Sequence, residues 1–270
     1  MVRVDETFLR WFHDRHPGVT AATLARGVIV GDGRSTYQRL ADAIPPGGRV
    51  LDLGCGDGYL MARLRDRGQP AADVIGVDLS AGELAAARAR LPDLPLLCAR
   101  AQALPIATGA LTAVVSHLAW TLMSDLDAVA DELARVLTPG GVFATIVGGG
   151  PRGDDAAAGL LALAAPFAAA APMTPRLGEL RGRTDVGLAA LLSPARGFAP
   201  PAVVDLEVDL SGSADQVWDA LAPAYHLAHL TAAARAALRA EFAAVAARWR
   251  RPDGQIAATL YARLVTAVRR

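Results

Sequence analysis

The chain has 270 residues, of which 53% are hydrophobic and 20% charged, so it can bury a large core and does not have the composition of a disordered chain. Its formal net charge is zero, which argues against a nucleic-acid binder that relies on a broad basic face. The sequence contains no lysine, which excludes lysine-based covalent or general-base catalysis.

Cysteine usage and apolar runs limit the class of protein further. The two cysteines, Cys55 and Cys98, form no CxxC pattern or Cys/His cluster, so we expect neither a disulfide framework nor a metal site. The N-terminus lacks the apolar stretch of a secretory signal. The most apolar long run, residues 156–171, is mostly alanine and contains Pro166, so it is too weak to span a bilayer. We therefore expect a soluble cytoplasmic protein without a membrane partner.

The N-terminal part of the chain is predicted to be helical. Residues 5–41 carry apolar positions at helical spacing, interrupted at Pro17 and by a loop at residues 31–33. Ser35 is a candidate N-cap for the helix that follows the loop.

Short apolar strands then alternate with helices, a pattern typical of a parallel α/β sheet covered on both faces. The predicted strands are 49–53, 73–77, 94–99, 111–117 and 142–147, the predicted helices are 59–67, 81–91 and 126–137, and a turn is predicted at 138–141. After residue 150 the pattern predicts helices over 154–192, a strand over 203–210, one or two helices over 214–249 and a last strand or strand pair over 256–268.

The segment VLDLGCGDGYL, residues 50–60, joins the first of these strands to a helix through a glycine-rich turn. Glycines let the backbone pass close to a ligand, and ligands in open α/β sheets bind beyond the carboxyl ends of the strands. A dinucleotide site prefers GxGxxG, whereas the spacing here is GxGxG. Asp52, two positions before the first glycine, would repel a pyrophosphate and would suit a cationic ligand such as an ammonium group. Asp78 ends the next strand, where a carboxylate can accept hydrogen bonds from both hydroxyls of a ribose.

Five motifs in order resemble the class I S-adenosylmethionine-dependent methyltransferases of the UbiE-like, or type 11, subgroup. They are VLDLGCGDG (50–58), GVDLS (76–80), RAQALPI (100–106), VVSHLAW (114–120) and ELARVLTPGG (132–141), and together they cover about residues 45 to 150. The resemblance implies an α/β, Rossmann-like, seven-stranded, mostly parallel sheet with helices on both faces and a helical cap. We expect a single domain over 1–270, with the cap in 1–45, the cofactor-binding core in 46–150, and the rest of the sheet with substrate-side helices in 151–270.

The resemblance also implies S-adenosylmethionine as cofactor, S-adenosylhomocysteine as product, and roles for individual residues. The expected cofactor-binding residues are Tyr37, Asp52, Gly54, Cys55 (through its backbone), Gly56, Asp78, Leu79, Ala101, Gln102, Ser116 and His117. Gly58 either belongs to this set or serves only helix packing.

Two positions depart from the family pattern. The family usually has an acid that accepts from the adenine amino group where this chain has Arg100, which cannot accept a hydrogen bond. The carbonyl oxygen of Gln102 could substitute for it. The acid usual at the start of the fourth strand is replaced by Thr112. These departures concern the adenine contacts and not the fold.

The expected reaction is in-line attack by a substrate nucleophile on the sulfonium methyl group, catalysed chiefly by positioning. His117 is the candidate catalytic residue, either as a general base or, as we favour, as part of the cofactor site. The candidate substrate-pocket residues are Trp11, His13, Trp120, Tyr225, His226 and His229, and the last two could instead form a solvated helix face. We expect a small-molecule substrate, such as a secondary metabolite, no nucleic-acid partner, and a monomer or homodimer.

Two other functions fit parts of the sequence. The protein could bind S-adenosylmethionine without transferring its methyl group, catalysing a non-methylating reaction or only binding the cofactor. It could also be a nicotinamide-dependent oxidoreductase, against which Asp52 and the GxGxG spacing argue.

Overall fold

The fold is known from a computed structural model that describes residues 6–169 and 178–270. The N-terminal cap consists of α1 (Glu6–Arg15), α2 (Val19–Leu24), β1 (Val28–Ile29) and α3 (Thr36–Ala41). Ser35 caps α3 as predicted: its hydroxyl accepts from the Gln38 backbone while the Gln38 side chain accepts from the Ser35 backbone.

The predicted alternation of strands and helices is confirmed. It comprises β2 (Val50–Leu53), α4 (Tyr59–Asp66), β3 (Val74–Asp78), α5 (Ala81–Arg90), β4 (Leu96–Cys98), β5 (Leu111–His117), α6 (Leu126–Val136) and β6 (Leu137–Gly150). β6 begins at Leu137, one residue before the predicted turn at 138–141, and includes that turn, across which its pairing with β5 shifts register. The remainder contains α7 (Ala156–Ala169), α8 (Asp185–Leu191), β7 (Ala202–Asp209), α9 (Ala214–Leu221), α10 (Ala232–Val245) and β8 (Thr259–Val268).

The strands form one sheet in the order β1-β7-β8-β6-β5-β2-β3-β4. The strands from β6 to β4 are parallel to one another, whereas β8, β7 and β1 add in antiparallel pairs. The α/β fold class is therefore confirmed, with eight strands in place of the expected seven. The extra strand is β1, which is too short for its sequence to show a strand period.

Alternate residues of the central strands enter two separate cores. Val50 and Val115 face a core built with α3, α4, α9 and α10, whereas Leu51 and Val114 face a core built with α6 and α8. Because β2, β3 and β5 are parallel, their carboxyl ends lie at one edge of the sheet. The direction of strand addition reverses between β2 and β5, where such sheets bind ligands. Among the described helices, none has the length and apolar character needed to cross a membrane.

Candidate functional site

A cavity of about 540 Å³ lies at the carboxyl edge of the sheet, within the range of small-molecule sites. Its floor is formed by the residues that follow β2, β3 and β5. Its roof comes from α1, α2 and the segment after α9 that leads into the short 3₁₀ turn Tyr225–Leu227. Side chains from separate stretches of the chain therefore meet above the strand ends.

The glycine-rich turn follows β2 and forms one wall of this cavity. Gly54, Gly56 and Gly58 all have positive φ, at 75°, 52° and 78°. A β-carbon on Gly54 would collide with the side chain of Ala119, so only glycine fits at this close approach of the two loops. Gly58 instead caps α4 and would bring a β-carbon to 3.3 Å from Ala87, which agrees with a packing role.

Asp52 is a fully buried acid in the cavity wall. Its side chain is 1% exposed, and its Oδ2 atom accepts no hydrogen bond within the described chain. Burial, together with the nearby charges of Asp78 and Asp57, raises its pKa well above the usual range of a carboxyl. A buried carboxylate oxygen without a partner suits a cationic ligand group, and the ammonium of S-adenosylmethionine fits this requirement.

Asp78 lies at the end of β3, beside the glycine turn. Its Oδ2 accepts from the Gly56 backbone at 2.9 Å and its Oδ1 accepts from the Ser80 backbone at 2.9 Å. Each carboxylate oxygen can accept a second hydrogen bond, so the group is held in place with capacity left for two hydroxyls. Leu79 follows it in the cavity wall.

The wall beyond Leu79 contains Ala101 and Gln102, as expected for the adenine side. Arg100, the departure from the family pattern, is paired with Glu6 of α1, with Nη2 at 2.6 Å and Nε at 2.8 Å from the two carboxylate oxygens. Gln102 directs its amide nitrogen to the Ser124 carbonyl. Glu6 therefore brings a carboxylate next to Arg100, from a residue 94 positions earlier in the chain.

His117 ends β5 and lines the cavity. Its Nε2 lies 2.9 Å from the Thr36 hydroxyl, and its ring stacks on Tyr37 with centroids 3.7 Å apart. Burial lowers the pKa of His117 to about 3, so the ring is neutral at physiological pH and is a poor proton acceptor. This environment disfavours the general-base role and agrees with a positioning role in the cofactor site, alongside Tyr37.

The residue after His117 is strained. Leu118 has φ 60°, a left-handed conformation that is unusual for a bulky side chain, and it lines the cavity. Strain of this kind persists where the surrounding structure holds it, often beside functional sites.

Three side chains from distant segments, the buried Glu83 and the half-buried His13 and Tyr225, form a hydrogen-bonded chain in the roof. The Nδ1 atom of His13 lies 2.7 Å from Glu83 Oε1, and its Nε2 lies 2.8 Å from the Tyr225 hydroxyl. Glu83 also accepts from the Gly18 backbone at 2.8 Å. His13 and Tyr225, both candidate pocket residues, are therefore brought together in the cavity wall, with Glu83 as a partner that sequence reasoning missed.

Four of the expected site residues lie away from the cavity. Ser116 is fully buried and donates to the Leu53 carbonyl at 2.8 Å, because its side chain points between strands. Trp120 packs on Phe143 in the core, because the 3₁₀ turn Trp120–Leu122 carries it under the sheet edge.

The other two corrections concern the cap. Trp11 is 39% exposed and stacks on Phe8, on the outer side of α1. The His229 ring also packs on Phe8 and is absent from the cavity wall. The side chain of His226 lies outside the described residues.

Two further observations bear on what the site can hold. Cys55 lies in the wall with a buried thiol, whose pKa burial raises, so it is not an activated nucleophile. Within residues 6–169 and 178–270, no group of His, Cys, Asp and Glu side chains is arranged to hold a metal ion.

Comparison with known proteins identifies the family. A family profile described as a methyltransferase domain matches residues 51–145. An uncharacterized methyltransferase of Synechocystis sp. is 30% identical over 145 residues, which cover 52% of this chain and 67% of that protein. A demethylmenaquinone methyltransferase of Beutenbergia cavernae is 40% identical over 96 residues, which cover 36% of this chain and 39% of that protein. The match with this second relative thus spans about two fifths of its length.

A solved structure shares the fold over the whole chain. The [4+2]-cyclase SpnF superposes with a TM-score of 0.58 and 22% identity, covering 100% of this chain and 97% of that one. At this identity the likeness concerns the fold alone. The matched methyltransferase domain contains the glycine turn, Asp52 and Asp78, the residues around which the cavity is built. The chain therefore belongs to the type 11 family of S-adenosylmethionine-dependent methyltransferases.

Proposed function

We propose that this protein transfers the methyl group of S-adenosylmethionine to a small organic molecule and releases S-adenosylhomocysteine. The observation that carries this proposal is the unpartnered Asp52 carboxylate beside Asp78 and the glycine turn, at one end of a cavity that continues into an apolar region. The Beutenbergia cavernae relative is named for a small-molecule substrate, demethylmenaquinone, which supports the same class of substrate here.

We assign the residues of the cavity to two roles, binding the cofactor and positioning the reacting methyl group. Asp52 would bind the ammonium group, Asp78 the ribose hydroxyls, and Leu79, Ala101 and Gln102 the adenine. When bound, S-adenosylmethionine supplies an electrophilic methyl group on a sulfonium ion, which a substrate oxygen, nitrogen or carbon atom attacks in line. His117 and Tyr37, stacked together, would hold the wall beside that group and not remove a proton. Most of the rate enhancement would then come from proximity and orientation within a water-poor cavity.

The N-terminal cap (1–45), the core (46–150) and the C-terminal half (151–270) are best treated as one domain. Strand pairing joins the three segments and so supports a single domain, because β1 of the cap pairs with β7 and β6 of the core pairs with β8. The cavity walls also come from all three segments.

A binding experiment tests the cofactor. We expect S-adenosylhomocysteine to raise the melting temperature and NAD to have no effect. At a hundredfold excess over its dissociation constant, the stabilisation is about 2.7 kcal/mol. Stabilisation by NAD in place of S-adenosylhomocysteine would favour the oxidoreductase alternative.

A turnover experiment tests the reaction. The protein is incubated with isotope-labelled S-adenosylmethionine and fractionated small-molecule extract, and products are identified by mass spectrometry. Methyl transfer requires a labelled product together with an equal amount of S-adenosylhomocysteine. A substrate that is converted without S-adenosylhomocysteine formation would contradict the proposal and favour the non-methylating alternative.

A further inference from the structure

Arg183 is a cation of the cavity wall whose charge no described residue neutralises. It ends the 3₁₀ helix Leu180–Arg183, and its Nε atom is buried without a hydrogen-bond partner. We propose that Arg183 binds the anionic group, a carboxylate or a phosphate monoester, of an otherwise apolar substrate. This inference rests on the proposed methyl transfer and names the class of molecule that receives the methyl group.

The other arginines of this region have acidic neighbours. Arg181, two positions earlier on the same turn, donates to both Glu179 and Asp127 and is not part of the cavity wall. The two other arginines of the described wall also lie near acids, since Arg100 is bound to Glu6 and Arg10 lies close enough to Asp14 to lower its pKa. Arg183 thus stands apart from the ion pairs that surround it.

The backbone that presents Arg183 is held firmly. Its carbonyl accepts from Arg263 Nη1 of β8 at 3.0 Å. Gly182, immediately before it, lies against Leu126 and the Trp120 ring, where a β-carbon would come within 2.8 Å of the leucine. A fixed backbone limits the positions that the guanidinium can reach, which is the property of a recognition residue and not of a solvated surface arginine.

The guanidinium of Arg183 is half-buried and has no acidic partner, and this makes an anion the preferred ligand of the site. Half-burying an arginine costs solvation energy, and here burial lowers its pKa with no carboxylate acting in the opposite direction. A guanidinium remains protonated in proteins, so the charge persists and favours an anion. Guanidinium groups form two parallel hydrogen bonds with carboxylates and phosphates, which makes these groups its natural ligands.

The position of Arg183 separates it from the acids of the cavity. Asp52 and Asp78 lie at the ends of β2 and β3, whereas Arg183 packs beside the residues after β5 and against β8. The wall also contains the apolar side chains Leu118, Leu122, Leu160, Leu161 and Leu260. The cavity therefore offers acids to the cationic cofactor, and an arginine with leucines to an apolar molecule that carries one negative group.

The test uses four probes that share a hexyl chain: heptanoate, hexyl phosphate, hexan-1-ol and hexylammonium. Each is titrated by ligand-observed NMR into the full-length protein saturated with S-adenosylhomocysteine. We expect the two anions to bind about 10- to 100-fold more tightly than the alcohol, the range for hydrogen bonds to a charged group, and the ammonium to bind more weakly still. The stronger of the two anions identifies the carboxylate or the phosphate as the preferred group.

Two matched variants assign the preference to one residue. Arg183→Gln should bind the anions and the alcohol equally, whereas Arg181→Gln should keep the wild-type preference. Two results with wild-type protein alone would overturn the inference. One is that hexan-1-ol binds as tightly as the anions, and the other is that neither anion binds. An anion preference that survives in a folded Arg183→Gln protein overturns it as well. Failure to bind S-adenosylhomocysteine in the first step would instead overturn the proposed function, so the two failures are distinguishable.

Discussion

The Nε2 atom of His13 lies 2.8 Å from the hydroxyl of Tyr225, across 212 positions of sequence. The other ring nitrogen of His13 lies 2.7 Å from Glu83, so one side chain joins α1, α5 and the segment after α9. These three segments enclose the cavity, and the contact therefore holds its roof to its floor.

Removing this contact should loosen the roof. His13→Ala leaves the buried Glu83 carboxylate and the half-buried Tyr225 hydroxyl each without one partner, which should lower the free energy of unfolding by about 1–3 kcal/mol. Urea denaturation with and without S-adenosylhomocysteine measures the loss. His16→Ala is the matched control, because His16 follows the same helix but is exposed. Equal stability of the two variants would contradict the role of His13.

Asp52 should couple cofactor binding to proton release. Its pKa is raised, so in the free protein it keeps its proton to higher pH than an ordinary carboxyl, whereas binding an ammonium group requires the carboxylate. Affinity should therefore rise with pH until Asp52 ionises. The neighbouring charges of Asp57 and Asp78 act in the same direction on its pKa.

Calorimetry in buffers with different ionisation enthalpies measures this proton. The binding enthalpy of S-adenosylhomocysteine should depend on the buffer for wild-type protein and lose that dependence in Asp52→Asn. The variant should also bind about 10- to 100-fold more weakly. Unchanged affinity in Asp52→Asn would place the ammonium group elsewhere.

Asp78→Ala tests the ribose site. Loss of hydrogen bonds to a charged group costs roughly 1.5–3 kcal/mol. The dissociation constant for S-adenosylhomocysteine should therefore rise about ten- to hundredfold. Asp66→Ala provides a control, since Asp66 makes an exposed ion pair with Arg63. Wild-type affinity in a folded Asp78→Ala protein would show that the ribose is bound elsewhere.

His117 should shape the acid side of the stability profile. The pKa of His117 is about 3 in the folded protein and about 6.5 in the unfolded chain. Below pH 6.5 the unfolded state therefore binds a proton at His117 that the folded state does not bind. Stability is lost as the pH falls, by about 1.5–2 kcal/mol between pH 6.5 and 5.

A variant isolates this contribution from those of the carboxyl groups. Between pH 6.5 and pH 5, urea denaturation should show a smaller loss of the free energy of unfolding for His117→Gln than for wild type. The exposed His16→Gln variant should lose as much as wild type. The His117→Gln variant should keep most of its turnover at saturating S-adenosylmethionine, because a histidine whose pKa burial lowers to about 3 is too weak a base to remove the substrate's proton. A large fall in turnover with unchanged cofactor affinity would restore the general-base hypothesis.

The local parts of the site could be predicted from the sequence. The glycine turn, Asp52 and Asp78 lie within a few residues of strands that an apolar period reveals, so their position at the sheet edge follows from the strand order. The contacts of Glu6 with Arg100 and of Glu83 with His13 join residues 94 and 70 positions apart. No periodicity encodes such contacts, because they depend on how the cap packs on the core.

Trp120 illustrates a second limit. It follows His117 by three residues, and the sequence predicts that both enter the cavity. The 3₁₀ turn Trp120–Leu122 instead buries the indole ring against Phe143 while Thr121 and Leu122 line the cavity. Tertiary packing sets the direction of a side chain within a single short turn, so the periodicity of the sequence does not predict it.

The two residues of β1 have a consequence beyond the site. Val28 and Ile29 pair with Asp209 and Val208, and so cover one end of the outermost long strand, β7. Along the rest of that strand, the exposed side chain of Asp205 forms an ion pair with Arg263 of the neighbouring strand β8. Uncovered strands invite pairing with another molecule, and short covers and charges are the usual protections. The N-terminal segment that roofs the cavity therefore also covers one end of β7, and we expect a truncation that removes it to lower solubility as well as ligand binding.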